Sequence, residues 1–125
     1  MSDFHAAMTI STSGLRAQSA RLQRVSENIA NVDTPGFRRK SIQFKAHENG
    51  GVKVGQTILD KAQLERVFDP SHPMSEPSGY YQGSNVNLIY EIADAREAQR
   101  SYEANLKLFD QTRQMASSLL DLLRN

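Results

Sequence analysis

The sequence predicts a mainly α-helical fold with a small β element: long N- and C-terminal helices paired as an antiparallel coiled coil, with a β-hairpin and irregular middle segment between them. Three observations predict it. Met8, Leu15, Leu22 and Ile29 recur every seven residues, with Val25 and Val32 at the intervening d-type positions. That spacing gives the narrow apolar stripe of a coiled-coil seam. No proline or glycine falls between Ser84 and Asn125, where apolar residues step by three and four. Between these two stretches, turn clusters and short alternating runs replace any helical period. Residues 1–37 and 84–125 are therefore expected to form one helical domain from both termini, and 38–83 a small β-rich and loop domain.

Taken in order, residues 1–8 are expected to fray, with Phe4 and Met8 the first to pack. Thr9 to Ser13 are poor helix formers, and Gly14 costs about 1 kcal/mol against alanine, so the opening turns need a partner. The helix is expected to stop at a turn. Asn31 and Asp33 favour leaving it, Pro35 restricts Thr34 to extended geometry, and Gly36 tolerates a positive φ. Asn28 and Asn31 read either as capping and turn residues or as hydrogen-bonding groups that fix the register of packed helices.

Arg38 to Ala46 then reads as a strand, with Ile42 and Phe44 on one face. His47 to Gly51 is a turn cluster, and Val52, Val54, Ile58 and Leu59 mark a second strand, making 38–59 a hairpin. Glu65 to Phe68 suggests a short third strand, 69–79 a stiff proline-rich loop, and Tyr80-Tyr81 a return to extended chain. Asn85 or Asn87 should cap the last helix. Its stripe runs through Ile92, Ala95, Tyr102, Leu106, Phe109, Ala116, Leu120 and Leu123. Ile10, Ile89, Leu108, Met115, Leu119 and Leu122 lie off the stripes. A single hairpin of helices cannot cover them, whereas neighbouring copies can. The helices are thus expected to form partly or fully on assembly, with ordering entropy offset by burial between subunits.

Composition narrows the chemistry. The 125 residues are 38% hydrophobic and 7% aromatic with a net charge of +1, which suits an elongated helical chain and gives no general attraction to nucleic acid or anionic lipid. Cysteine is absent, so disulfides and thiolate chemistry drop out. No run approaches the apolar length of a membrane span, and the start lacks the basic and apolar regions of a cleaved signal. His5, His47 and His72 stand apart, without metal-ligand spacing, and no cofactor is called for. Glu91, Asp94 and Glu97 share a helical face and imitate paired carboxylates, but read as a solvated face beside Arg96 and Arg100. The basic run Arg38-Arg39-Lys40 is short for a phosphate-binding site and reads as a solvated strand start or an intersubunit salt bridge. Tyr102 and Phe109 read as seam packing.

A family resemblance gathers these elements. Ser13-Gly14-Leu15, Arg21-Leu22, Val25-Ser26 and Asn28-Ile29-Ala30-Asn31, closed by Thr34-Pro35-Gly36-Phe37, resemble the N-terminal signature of the bacterial flagellar rod and hook axial proteins. Phe68-Asp69-Pro70-Ser71-His72-Pro73, Gly79-Tyr80 and Asn85-Val86-Asn87 resemble the middle of a short proximal rod subunit of that family. Arg100-Ser101-Tyr102-Glu103-Ala104-Asn105 resembles the shared C-terminal motif. One departure is Gln82-Gly83-Ser84, where the family usually has a proline before Asn-Val-Asn.

The resemblance implies a non-enzymatic subunit that stacks helically into a periplasm-spanning rod, transmits torque towards the hook, and leaves the cell through the flagellar type III apparatus without a cleaved signal. Implied partners are its own copies, other rod subunits, proteins at the rod base and the export apparatus, with no nucleic acid and no membrane insertion. Met8, Leu15, Leu22, Val25, Asn28, Ile29, Asn31, Ile92, Tyr102, Asn105, Leu106, Phe109 and Leu120 are the candidate self-assembly residues. Thr34, Pro35, Gly36, Asp69, Pro70, His72, Pro73, Asn85, Val86 and Asn87 are the turn and family-motif residues. The alternatives are another short rod subunit, or a soluble helical-hairpin export chaperone or binding module.

Overall fold

The computed structural model describes residues 2–124. Helix α1 spans Ser2–Ala30, strands β1 and β2 span Lys40–Ala46 and Val52–Leu59, β3 and β4 span Arg66–Phe68 and Tyr80–Gln82, and helix α2 spans Leu88–Arg124. At 1.5 Å per residue the helices are about 43 and 55 Å long. No helix among the described residues is long and apolar enough to cross a membrane.

The two helices pack side by side in opposite directions. Gly14 faces Asn105, Arg21 meets Asp94 and Glu97, and Asn28 meets Glu91, so one register holds along the pair. In that register the last two turns of α2 extend past the start of α1.

The fraying expected of residues 1–8 is not seen where the chain is described, since α1 begins at Ser2; Met1 lies outside the described residues. Hydroxyls that weaken a helix are instead folded back on it. Thr9 Oγ1 donates to His5 O at 2.9 Å and Thr12 Oγ1 to Met8 O at 2.8 Å. The stop falls where expected. Asn31 to Gly36 form turns after α1, and Gly36 takes φ of +76°, a value that L side chains avoid.

The seam differs from the apolar stripe. On α1 the buried positions are Ser11, Ala17, Val25 and Asn28, and on α2 they are Glu91, Ala98 and Ala116. Met8, Leu15 and Leu22 are half-buried along its flank and Ile29 is exposed. On α2, Ile92, Tyr102, Leu106, Leu120 and Leu123 are exposed, whereas Phe109 is half-buried. The stripe built on Leu and Ile is therefore not the centre of the intrachain contact. The reason is close approach: a Cβ added to Gly14 would lie 2.7 Å from Asn105 Oδ1. Helices this near admit only small or hydrogen-bonded side chains between them, and push bulky ones to the sides.

Strands β1 and β2 form the expected hairpin, pairing from Lys40↔Leu59 to Ala46↔Val52 with a bulge between Ile42 and Phe44. Gly55 sits at the bulge, where a Cβ would be 3.0 Å from Gln43 O. The hairpin lies against α1 and is pinned there: Val52 N donates to Ser13 Oγ at 3.0 Å. Strands β3 and β4 form a separate antiparallel pair, Arg66↔Gln82 to Phe68↔Tyr80. The loop between them stays irregular, as the prolines require.

Candidate functional site

Two regions stand out once the elements are in place: a polar junction where both helices meet the β segments, and a broad apolar surface on α2.

The junction is built on Asn28 and Glu91, both 0% exposed. Asn28 Oδ1 accepts from Lys40 N at 2.8 Å, and its Nδ2 donates to Lys40 O at 2.8 Å and Glu91 Oε2 at 3.2 Å. An amide side chain on α1 thereby pairs with the β1 backbone much as a neighbouring strand would, and reaches α2 as well. The other Glu91 oxygen accepts from Arg39 Nε. Buried polar groups persist only when so satisfied.

Further bonds close the same knot. Asn85 Oδ1 accepts from Arg39 N at 2.6 Å, while its Nδ2 donates to the carbonyls of Asp60 and Ala62 at 3.1 Å each. Arg38 donates to the same two carbonyls, at 3.1 and 3.0 Å. Lys40 Nζ meets Glu27 at 3.1 Å. Gly36 N donates to Gln82 O and Gly83 O, and the Ser84 hydroxyl donates to Val32 O.

Two readings of the sequence are corrected here. Arg38, Arg39 and Lys40 are not a solvated strand start; each is half-buried and bonded within the chain, Arg38 to backbone carbonyls and Arg39 and Lys40 to carboxylates. Glu91 is not on a solvated face but fully enclosed, because the Asn28 amide and the Arg39 guanidinium make its burial tolerable. One turn further along α2, Asp94 accepts from Arg21. Burial lowers the Arg21 pKa, but the hydrogen bond and charge of Asp94, with Glu97 behind, outweigh it and hold the guanidinium above its ordinary value.

The other candidates have distinct places. Asn31 is local: its amide donates to Glu27 O, and its oxygen accepts from Thr34 Oγ1. Asn87, rather than Asn85, caps α2, accepting from Ile89 N at 3.0 Å and Tyr90 N at 3.4 Å. Val86 N donates to Ser84 Oγ. Asp69 Oδ1 accepts from Ser71 N and Oγ. His72 stacks on Tyr81 at 4.0 Å, and its Nδ1 accepts from Met74 N, while Pro70 and Pro73 lie in the turns around it. Asn105 donates to Ser101 O beside Gly14.

The second region is what the seam leaves uncovered. Ile89 is 79% exposed and Leu122 74% exposed, with Leu106, Leu108, Met115, Leu119 and Leu120 between them. Sequence spacing did not single out Ser84, the pairing of Arg39 with Glu91 or the burial of Glu91. The available signal was a carboxylate at the start of one long helix and a basic run directly after the other.

A family model described as flagella basal body rod protein matches residues 8–38, and another, described as flagellar basal body rod FlgEFG protein C-terminal, matches residues 78–122. Over 99% of this chain and 98% of the relative, the sequence is 43% identical to the flagellar basal-body rod protein FlgC of Agrobacterium fabrum. The chain belongs to the FlgC family of flagellar basal-body rod proteins. FlgC of Salmonella typhimurium is 32% identical over 90% of the chain and 92% of its own length. FlgC of Borreliella burgdorferi is 32% identical over 94% and 95%. In this FlgC-family chain the two matched segments hold nearly all of both helices and the turn after α1. The stretch between them holds the β1–β2 hairpin, β3 and most of the proline loop.

Proposed function

We propose that the chain self-assembles helically into the proximal part of the hollow flagellar rod, the shaft that crosses the periplasm and passes torque to the hook. Family membership carries the coarser statement: this is a structural component of the basal-body rod, not an enzyme. The finer reading rests on one observation, the large apolar side chains of α2 left facing outwards. So many exposed large apolar side chains along one helix call for a covering partner, and a thin pair of helices cannot fold over them.

In this reading α1 and α2 pair as an antiparallel coiled coil, and residues 1–37 with 84–125 act as the assembly domain, with 38–83 as a smaller one beside it. Ile29, Ile92, Tyr102, Leu106 and Leu120 meet neighbouring copies, flanked by Met8, Leu15 and Leu22, while Val25, Asn28, Asn105 and Phe109 hold the subunit's own register. A surface that meets a different surface on the next copy does not close, and builds a helical tube. Torque passes because sliding such a seam by one residue would unpair the whole stripe. Partners are other copies, other rod subunits, proteins at the rod base and the flagellar type III export apparatus.

Replacing Leu22, Ile29 or Leu106 with Asp should abolish rod assembly while secretion of the subunit continues. Rods that still form would refute the outward-packing claim. A helical-hairpin chaperone would instead give a small, protease-resistant oligomer with folded ends; the assembling subunit should lose both termini to protease first.

A further inference from the structure

Charge is segregated along this chain. From Phe4 to Ser26 there are three arginines and no acidic residue; from Val67 to Ala95 there is no lysine or arginine and there are four carboxylates, Asp69, Glu76, Glu91 and Asp94. Glu91 and Asp94 are consumed by Arg39 and Arg21, and Asp69 by its own turn. Glu76 is exposed and forms no ion pair among the described residues.

The fold places these two charge zones at different levels of the molecule. The first half of α1 and the hairpin turn enclose a groove lined by Met8, Arg16, His47, Lys53, Val54 and Phe109 among others, with no carboxylate in its lining. Arg16 and Lys53 are exposed and unpaired among the described residues. The loop Asp69–Gly79 sits at the other level, since β4 behind it is bonded to the turn after α1 through Gly36. About 20 residues of α1, or roughly 30 Å, separate the two.

That loop is a preformed projection. The Ser75 hydroxyl donates to Asp69 O, Glu76 N to Tyr80 O at 2.8 Å and Gly79 N to Glu76 O at 2.8 Å. Gly79 adopts φ of +88° against Phe68 and Pro70. On this frame Met74 is 64% exposed beside Glu76, an apolar knob next to an unpaired carboxylate. The groove offers the complement: an apolar floor and a cationic rim.

We propose that the loop Asp69–Gly79 of one copy seats in the Arg16–Lys53 groove of the next, with Met74 on the Met8–Val54–Phe109 floor and Glu76 against Lys53 and Arg16. The proposal rests on the rod-subunit reading and names one of its contacts. Because groove and knob occupy different levels of one subunit, the contact is heterologous and propagates rather than closes. A loop already held in shape loses little freedom on docking, and the opposed charges set its register.

The absence of cysteine makes the test clean. In cells producing the Met74→Cys/Val54→Cys chain, oxidation of isolated basal bodies should give a reductant-sensitive ladder of this subunit, the dimer and higher oligomers. Glu76→Lys and Lys53→Glu, both at exposed positions, should each lower the number of rods by about tenfold or more, equivalent to about 1.4 kcal/mol. The double exchange should restore it. Rods that assemble without the ladder, single variants that assemble normally, or a double exchange that fails to recover would each overturn the contact while leaving the rod reading intact. Absence of the unaltered chain from rods would sink that reading instead.

Discussion

Where α1 turns into β1, the helix pair is held by Asn28, Arg39, Asn85 and Glu91, whose hydrogen bonds cross between four segments of the chain. At the opposite end, around Phe4, Met115, Leu119 and Leu122, large apolar groups line an open surface instead. The first arrangement is directional: its hydrogen bonds form only when donors and acceptors are correctly placed, so it specifies a single register. The second is non-directional, so it can be completed by any well-shaped apolar partner. A subunit built this way has its own geometry fixed at one end, while exposed apolar side chains run along α2 from Ile89 at that end to Leu122 at the other.

The comparison can be broken most sharply at Glu91. Glu91→Ala should destabilise the folded chain by about 3 kcal/mol, because Asn28 Nδ2 loses one of its two acceptors, the part-exposed Arg39 loses its carboxylate partner, and the removed side chain leaves a cavity. Urea denaturation followed at β1 amides measures this; a loss under about 1 kcal/mol would mean that the knot does not hold the junction. Asn28→Ala should cost less, about 1–3 kcal/mol, by orphaning the Lys40 amide and carbonyl. Its distinguishing sign is faster hydrogen exchange at Lys40.

Gly14→Ala sits between the two ends and should cost about 1 kcal/mol. The new Cβ displaces Asn105, and this outweighs alanine's better helix propensity. Adding Asn105→Ala should recover the loss, and a pair that stays destabilised would place the strain elsewhere. Smallest in the single chain is Leu122→Asp, within about 0.5 kcal/mol by the same denaturation, although rod assembly should fail. The Arg21–Asp94 pair adds a pH check. With the guanidinium pKa raised, its contribution is fully present below the ordinary arginine value and is lost only as pH rises through the raised one. Mild alkali should therefore leave this pair in place.

Much of the fold was legible because it is local. The Pro35-Gly36 stop, the hairpin from Lys40 to Leu59, the short strands flanking the proline loop and the uninterrupted last helix each follow from residues adjacent in the chain. Periodicity also identified the large apolar side chains of both helices. Of the residues it assigned to the seam, Val25, Asn28 and Ala116 are buried, whereas the large Leu and Ile side chains are half-buried or exposed, since heptad spacing records which side chains share a face and not which face meets the partner.

Tertiary structure decided that. The approach of Gly14 to Asn105 selected small and polar residues for the contact and turned Ile29, Ile92 and Leu106 outwards. It likewise converted Glu91 from a surface carboxylate into an enclosed one and joined it to Arg39, 52 residues away. A sequence determines elements and stripes through short-range sterics and propensity, whereas the choice among faces is settled only when whole surfaces compete for burial.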